Sequence, residues 1–180
     1  MSRGLAIVLA IRLTAPLTIL RWPLAGAIIA IVADTTDILI FQAFGFPTFI
    51  GYNEVDKLLD LYYLSLELIV ALGWPTLPRA TAVLLFAYRL AGVVLLEATH
   101  VRVVLLIFPN LFELYFIFYL LARRFRPARQ ITPTTTAVAL ACLLPPKMFQ
   151  EYALHYARWL DHGNALDIIR GIIDDVLSVF

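Results

Sequence analysis

Long apolar runs separated by short polar or Pro/Gly breaks dominate the chain. Six of them occupy residues 4–20, 24–44, 57–73, 80–98, 101–122 and 131–150. Their lengths lie near the roughly 20 residues a helix needs to cross a bilayer. They are too long and too evenly apolar for the alternating strands of a barrel. The pattern predicts an all-α polytopic transmembrane bundle of about six helices over residues 1–160. Trp22-Pro23, Gly45-Phe46-Pro47, Gly73-Trp74-Pro75, Pro78 and Pro133 punctuate the breaks. The fourth and fifth runs nearly touch at Thr99-His100, which predicts a tight helical hairpin. The first run is short and holds Arg12 at its centre, so a crossing there requires Arg12 to pair with an acid.

The last stretch changes character. From Leu166 to Phe180, Leu166, Ile169, Ile172, Ile173, Val176, Leu177 and Phe180 line one helical face, opposite Asp167, Arg170, Asp174 and Asp175. Residues 161–180 therefore read as a C-terminal amphipathic helix, lying on the membrane surface, against a partner or against its own bundle. Its mostly acidic polar face favours a protein contact, with a different chain or a second copy of this one.

Composition supports the membrane assignment. Hydrophobic residues make up 62% and charged residues 15%, against about 45–50% and about 25% in ordinary soluble domains. The net charge of +1 provides no field for nucleic acid, so the expected surroundings are a lipid bilayer. Cys142 is the sole cysteine, which rules out an intrachain disulfide or a cysteine-based metal site; its apolar run reads as inert packing. Arg123, Arg124, Arg126 and Arg129 crowd one loop, so residues 123–130 are expected on the cytoplasmic side of a multi-pass cell-membrane protein. Arg3 before an apolar stretch imitates a signal peptide, but Arg12 interrupts that stretch and no A-x-A site follows, so the segment is expected to be retained.

Charges inside the apolar runs carry the functional expectation, because carboxylates at membrane depth are costly. Asp34 and Asp37 share a helix face, and Asp56, Asp60, Tyr63 and Glu67 form a stripe on the next run. Two antiparallel helices would bring Asp34, Asp37, Asp56 and Asp60 to similar depth, where they could hold a hard cation such as Mg²⁺ or Mn²⁺, or share protons. Glu67, Arg89, Glu97, Asn110 and Glu113 are further polar positions within the runs, and Pro109-Asn110 is expected to kink the fifth helix. Lys147, Glu151 and His155 recur at helical spacing after Pro145-Pro146 and read as a snorkelling, salt-bridged exit from the membrane. Trp22, Trp74, Trp159, Tyr62 and Tyr63 suit interfacial belts.

The order D34-x2-D37, Gly51, D56-x3-D60 resembles the acidic motif of the CDP-alcohol phosphatidyltransferases. Ile38 stands where that motif has a glycine, Phe41-Gln42 where it has Ala-Arg, and the final pair falls one residue late. The resemblance implies a six-helix enzyme in which Asp34, Asp37 and Asp56 ligate a divalent metal and Asp60 is the base. On the residues alone, the leading expectation is a small transporter-, channel- or accessory-type membrane protein whose carboxylate cluster binds protons or a cation. A metal-dependent phosphotransferase acting on a lipid head group, a non-catalytic subunit of a membrane complex, and the substrate-binding component of a vitamin importer are the alternatives.

Overall fold

A computed structural model describes residues 3–43, 52–101, 103–128 and 130–152, and within these the side chains of residues 3–5, 37–43, 52–54 and 56 lie outside the description. The C-terminal amphipathic stretch, His155 and Trp159 also lie outside it. The described residues form helices and connections and contain no strand. In chain order the helices are α1 (Arg3–Thr14), a 3-10 segment (Ala15–Leu20), α2 (Pro23–Ala43), α3 (Tyr52–Ala71), α4 (Thr76–Thr99), α5 (Val103–Ile107), α6 (Leu111–Phe125) and α7 (Pro133–Glu151).

Of the six expected spans, two find support among the described residues. Two stretches are long and apolar enough to cross a bilayer: Thr76–Thr99, and Val103–Phe125 taken through its break. Ala6–Leu20 and Pro23–Thr36 are shorter apolar stretches of residues whose side chains are described, and the α2 helix itself continues to Ala43. α3 spreads Asp56, Lys57, Asp60 and Glu67 along its length, while α7 opens on Thr134, Thr135 and Thr136 and closes on Lys147 and Glu151.

Proline sets the irregular joints. Pro16 falls in the 3-10 segment, where the first apolar run ceases to be α-helical. That segment lies directly on α2: a Cβ added to Gly26 would sit 2.3 Å from the Ile19 nitrogen, so only glycine admits the contact. Pro109 separates α5 from α6, so the expected kink is a full break. Asn110 then caps α6, its Oδ1 accepting from the Glu113 amide at 3.5 Å. At the other end of the hairpin His100 takes a left-handed conformation (φ 55°) and donates its N–H to Leu96 O, closing α4. Gly92 lies where α4 meets Phe108, whose Cβ would be 2.3 Å from an added methyl.

An aromatic core joins α3, α4 and α6. Tyr63, Leu64, Trp74, Ala82, Phe112, Tyr115, Phe116 and Tyr119 are buried together. Trp74 stacks on Tyr119 with ring centroids 3.8 Å apart and on Phe116 at 5.3 Å. Trp74 and Tyr63 are thus core residues and not interfacial ones, because the turn after α3 folds Trp74 back against α6. Trp22, by contrast, is 60% exposed. Cys142, expected to be packed, is exposed, since α7 turns that side outward.

A buried ionic network as the candidate functional site

Charge and apolarity are distributed inside out. Arg12, Glu67, Arg89, Glu113, Lys147 and Glu151 are buried, whereas Ile7, Leu58, Leu84, Val94, Ile107, Phe125 and Phe149 are exposed. Water-soluble domains almost never bury Lys, Glu, Arg or Asp unless paired, and they keep exposed apolar patches small. Here the pairing is extensive and falls into two groups linked through α3.

The first group joins α1, α2 and α3. Arg12 Nη2 lies 2.5 Å from Asp34 Oδ1 and 2.8 Å from Asp60 Oδ1. The guanidinium is 3% exposed; the Asp34 and Asp60 side chains remain 32% and 21% exposed. Next to it, the Tyr62 hydroxyl donates to Leu13 O at 3.0 Å and fastens α3 to the end of α1. Arg12 therefore has the acid partners its position demanded. The donor set here, with an arginine held between two carboxylates, does not fit a divalent cation at the same point. Among the described residues no group of three acids, histidines or cysteines is placed to hold a metal. The Asp37 and Asp56 side chains, two of the four expected ligands, lie outside the description.

The second group lies among α3, α4, α6 and α7. Tyr63, three residues beyond Asp60, donates its hydroxyl to Glu113 Oε1 at 3.2 Å. Asn110 Nδ2 donates to Glu113 Oε2 at 3.1 Å. Lys147 Nζ lies 3.8 Å from Glu113 Oε2 and 3.5 Å from Glu151 Oε1, and donates to Gln150 Oε1 at 3.0 Å. Arg89 Nη1 lies 3.9 Å from Glu151 Oε1 and donates to Phe108 O at 3.1 Å. Glu151 Oε1 also accepts the Asn110 backbone N–H at 3.3 Å. The proline break, which leaves Asn110 without a helical acceptor, is thus satisfied by a side chain from α7. Lys147 and Glu151 form the expected i, i+4 pair, but buried and turned inward. Pro145-Pro146 precede them within α7, where they remove two backbone donors from the helix.

Glu67 stands apart. It is fully buried, and neither carboxylate oxygen has a hydrogen-bond partner among the described residues. It lies on the α3 stripe, two turns beyond Asp60, and close enough to Glu113 for their charges to repel. Glu97 is outside the network: it is 44% exposed and pairs with Lys57 at 3.3 Å near the start of α3. Of the intramembrane positions singled out in the sequence, Glu67, Arg89, Asn110 and Glu113 come together and Glu97 does not. Lys147 and Glu151 complete the group. Their spacing was visible, but their inward direction depends on packing that spacing does not encode.

Comparison with protein-family models, with curated proteins and with solved structures finds no match.

Proposed function

We propose that the chain is a polytopic membrane protein, of transporter or accessory type, whose buried carboxylate network holds exchangeable protons. A count of charges supports this reading. Around Glu113 the buried acids are Glu67, Glu113 and Glu151, against Arg89 and Lys147 as bases. In the first group, Asp34 and Asp60 share Arg12. An unpaired ionised carboxylate in an apolar interior costs several kcal/mol, so Glu67 is the site at which a proton is held. Glu67, buried with neither oxygen bonded, is the observation that carries the proposal. The apolar exterior supports the membrane setting.

The α3 stripe gives the network direction. Asp60, Tyr63 and Glu67 span about 10 Å along the helix axis at about 1.5 Å per residue. The hydroxyl of Tyr63 bonds Glu113, so the partly exposed Asp34–Arg12–Asp60 group leads inward to the buried acids. The alternative of a metal-dependent phosphotransferase would first require Arg12 to release both aspartates. The measurement that tests the proton reading is infrared spectroscopy of the membrane-reconstituted protein. A carbonyl band of a protonated carboxylic acid is expected at neutral pH, and Glu67→Gln should remove it. If no such band is present, or if the band survives in the variant, the reading fails.

A further inference from the structure

An apolar groove runs between α6 and α7, away from the ionic network. Its end near the basic loop, about 330 Å³, is lined by Phe118, Leu121, Phe125, Arg126, Gln130 and Thr135 among others. It continues into a cavity of about 500 Å³ walled by Val138, Ala139, Cys142 and Leu143, with Phe118 and Thr135 common to both parts. We propose that this groove seats an acyl chain of an anionic phospholipid whose head group is met by Arg126 and Arg124. The proposal rests on the membrane-spanning reading and adds a ligand class to it.

Three observations select this occupant. The walls are apolar along the groove and become basic at one end, matching an amphiphile with a negative head. Arg124 and Arg126 are both exposed, and neither forms an ion pair among the described residues, while Arg123 is partly engaged by Pro127 O at 2.8 Å. The part of α7 that lines the deeper cavity, Thr134 to Leu143, extends about 13–14 Å at about 1.5 Å per residue. That is close to half of the roughly 30 Å hydrocarbon thickness, the depth one acyl chain occupies in one leaflet. Basic clefts between membrane helices on the cytoplasmic side are suited to anionic head groups, and the loop at this end is the arginine-rich one.

The test uses the full chain reconstituted into vesicles of phosphatidylcholine alone and of equimolar phosphatidylcholine and phosphatidylglycerol. Resistance to alkaline extraction from the first vesicles checks the membrane reading by itself. Lipid carried through mild detergent purification from the second is then counted by mass spectrometry. Wild type should retain phosphatidylglycerol over phosphatidylcholine by at least about fivefold, the factor that corresponds to about 1 kcal/mol for one basic residue near an anionic surface. Arg124→Gln with Arg126→Gln should return the ratio to that supplied. Val138→Trp, at a position 57% exposed, should lower the total retained by filling the groove. Retention in the supplied ratio by wild type, an unchanged preference in the arginine variant, or undiminished retention by Val138→Trp would overturn the lipid site while leaving the membrane reading intact. Failure to resist extraction would overturn both.

Discussion

Lys147→Met is the sharpest test of whether the buried network holds the helices together. The ammonium lies 3.8 Å from Glu113 Oε2 and 3.5 Å from Glu151 Oε1. At an effective dielectric of about 20, each attraction amounts to about 4–5 kcal/mol before desolvation is subtracted. Methionine retains most of the side-chain length and removes the charge. Glu151 keeps Arg89 at 3.9 Å, but Glu113 is left with only Tyr63 and Asn110, both neutral, in contact. Removing one partner from a buried ion pair costs about 3–5 kcal/mol. For a chain of this size that corresponds to a Tm lower by about 6–20 °C. Adding Glu113→Gln should regain at least half of the loss, because the uncompensated charge is gone while the amide still accepts from Tyr63. Thermal unfolding followed by circular dichroism in lipid nanodiscs reads both effects. A loss below about 1 kcal/mol, or no recovery in the double variant, would refute the inference that Lys147 neutralises Glu113.

Further predictions follow from the contacts at two glycines and at Arg12. Gly26→Ala places a methyl 2.3–2.6 Å from backbone atoms of Thr18 and Ile19, which cannot move without shifting the 3-10 segment. Gly92→Ala meets the Phe108 side chain at 2.3 and 2.9 Å, and the ring offers some adjustment. Overpacking costs about 1–3 kcal/mol and sometimes more, and Gly26→Ala should be the worse of the two by thermal unfolding; the reverse order would contradict the packing described. Wild type should take up no stoichiometric Mn²⁺ in equilibrium dialysis, because the Arg12 guanidinium already lies between Asp34 and Asp60. Stoichiometric uptake abolished by Asp37→Asn would instead support the phosphotransferase alternative.

Helical class and the positions of most breaks were legible because apolar run length and proline are local properties. Pro23, Pro75 and Pro133 fall at the helix starts their chemistry favours, and Thr99-His100 closes the hairpin. The ionisable positions on α3, α4 and α6 were also visible as charges where none is cheap. What the sequence hid is direction. The pair Lys147 and Glu151 satisfies the spacing rule equally well facing water or facing inward, and only contact with Arg89 and Glu113 decides it. Trp74 and Tyr63 have the amphipathic chemistry of an interface, yet stacking on Phe116 and Tyr119 and bonding to Glu113 drew them inside. Run length marks Thr76–Thr99 and Val103–Phe125 as long enough to cross a bilayer, whereas a moderately apolar run scores alike whether lipid or other helices surround it.

The bond between the Asn110 amide and Glu151 also bears on the order of assembly. Chains emerge from the ribosome N-terminus first. When α4 and α6 have been made, Arg89, Glu113 and the amide freed by Pro109 are already present, but the two groups that answer them arrive only at Lys147 and Glu151. In the membrane reading proposed above, the apolar hairpin is complete before the last described helix brings Lys147 and Glu151 to its polar interior. Until then Glu113 has Tyr63 and Asn110 as neutral partners and Arg89 has Phe108 O, with water in the place of the charges still to come. A nascent chain cut short before Lys147 is accordingly a species that quality control can tell from the finished one, by the water its interior still holds.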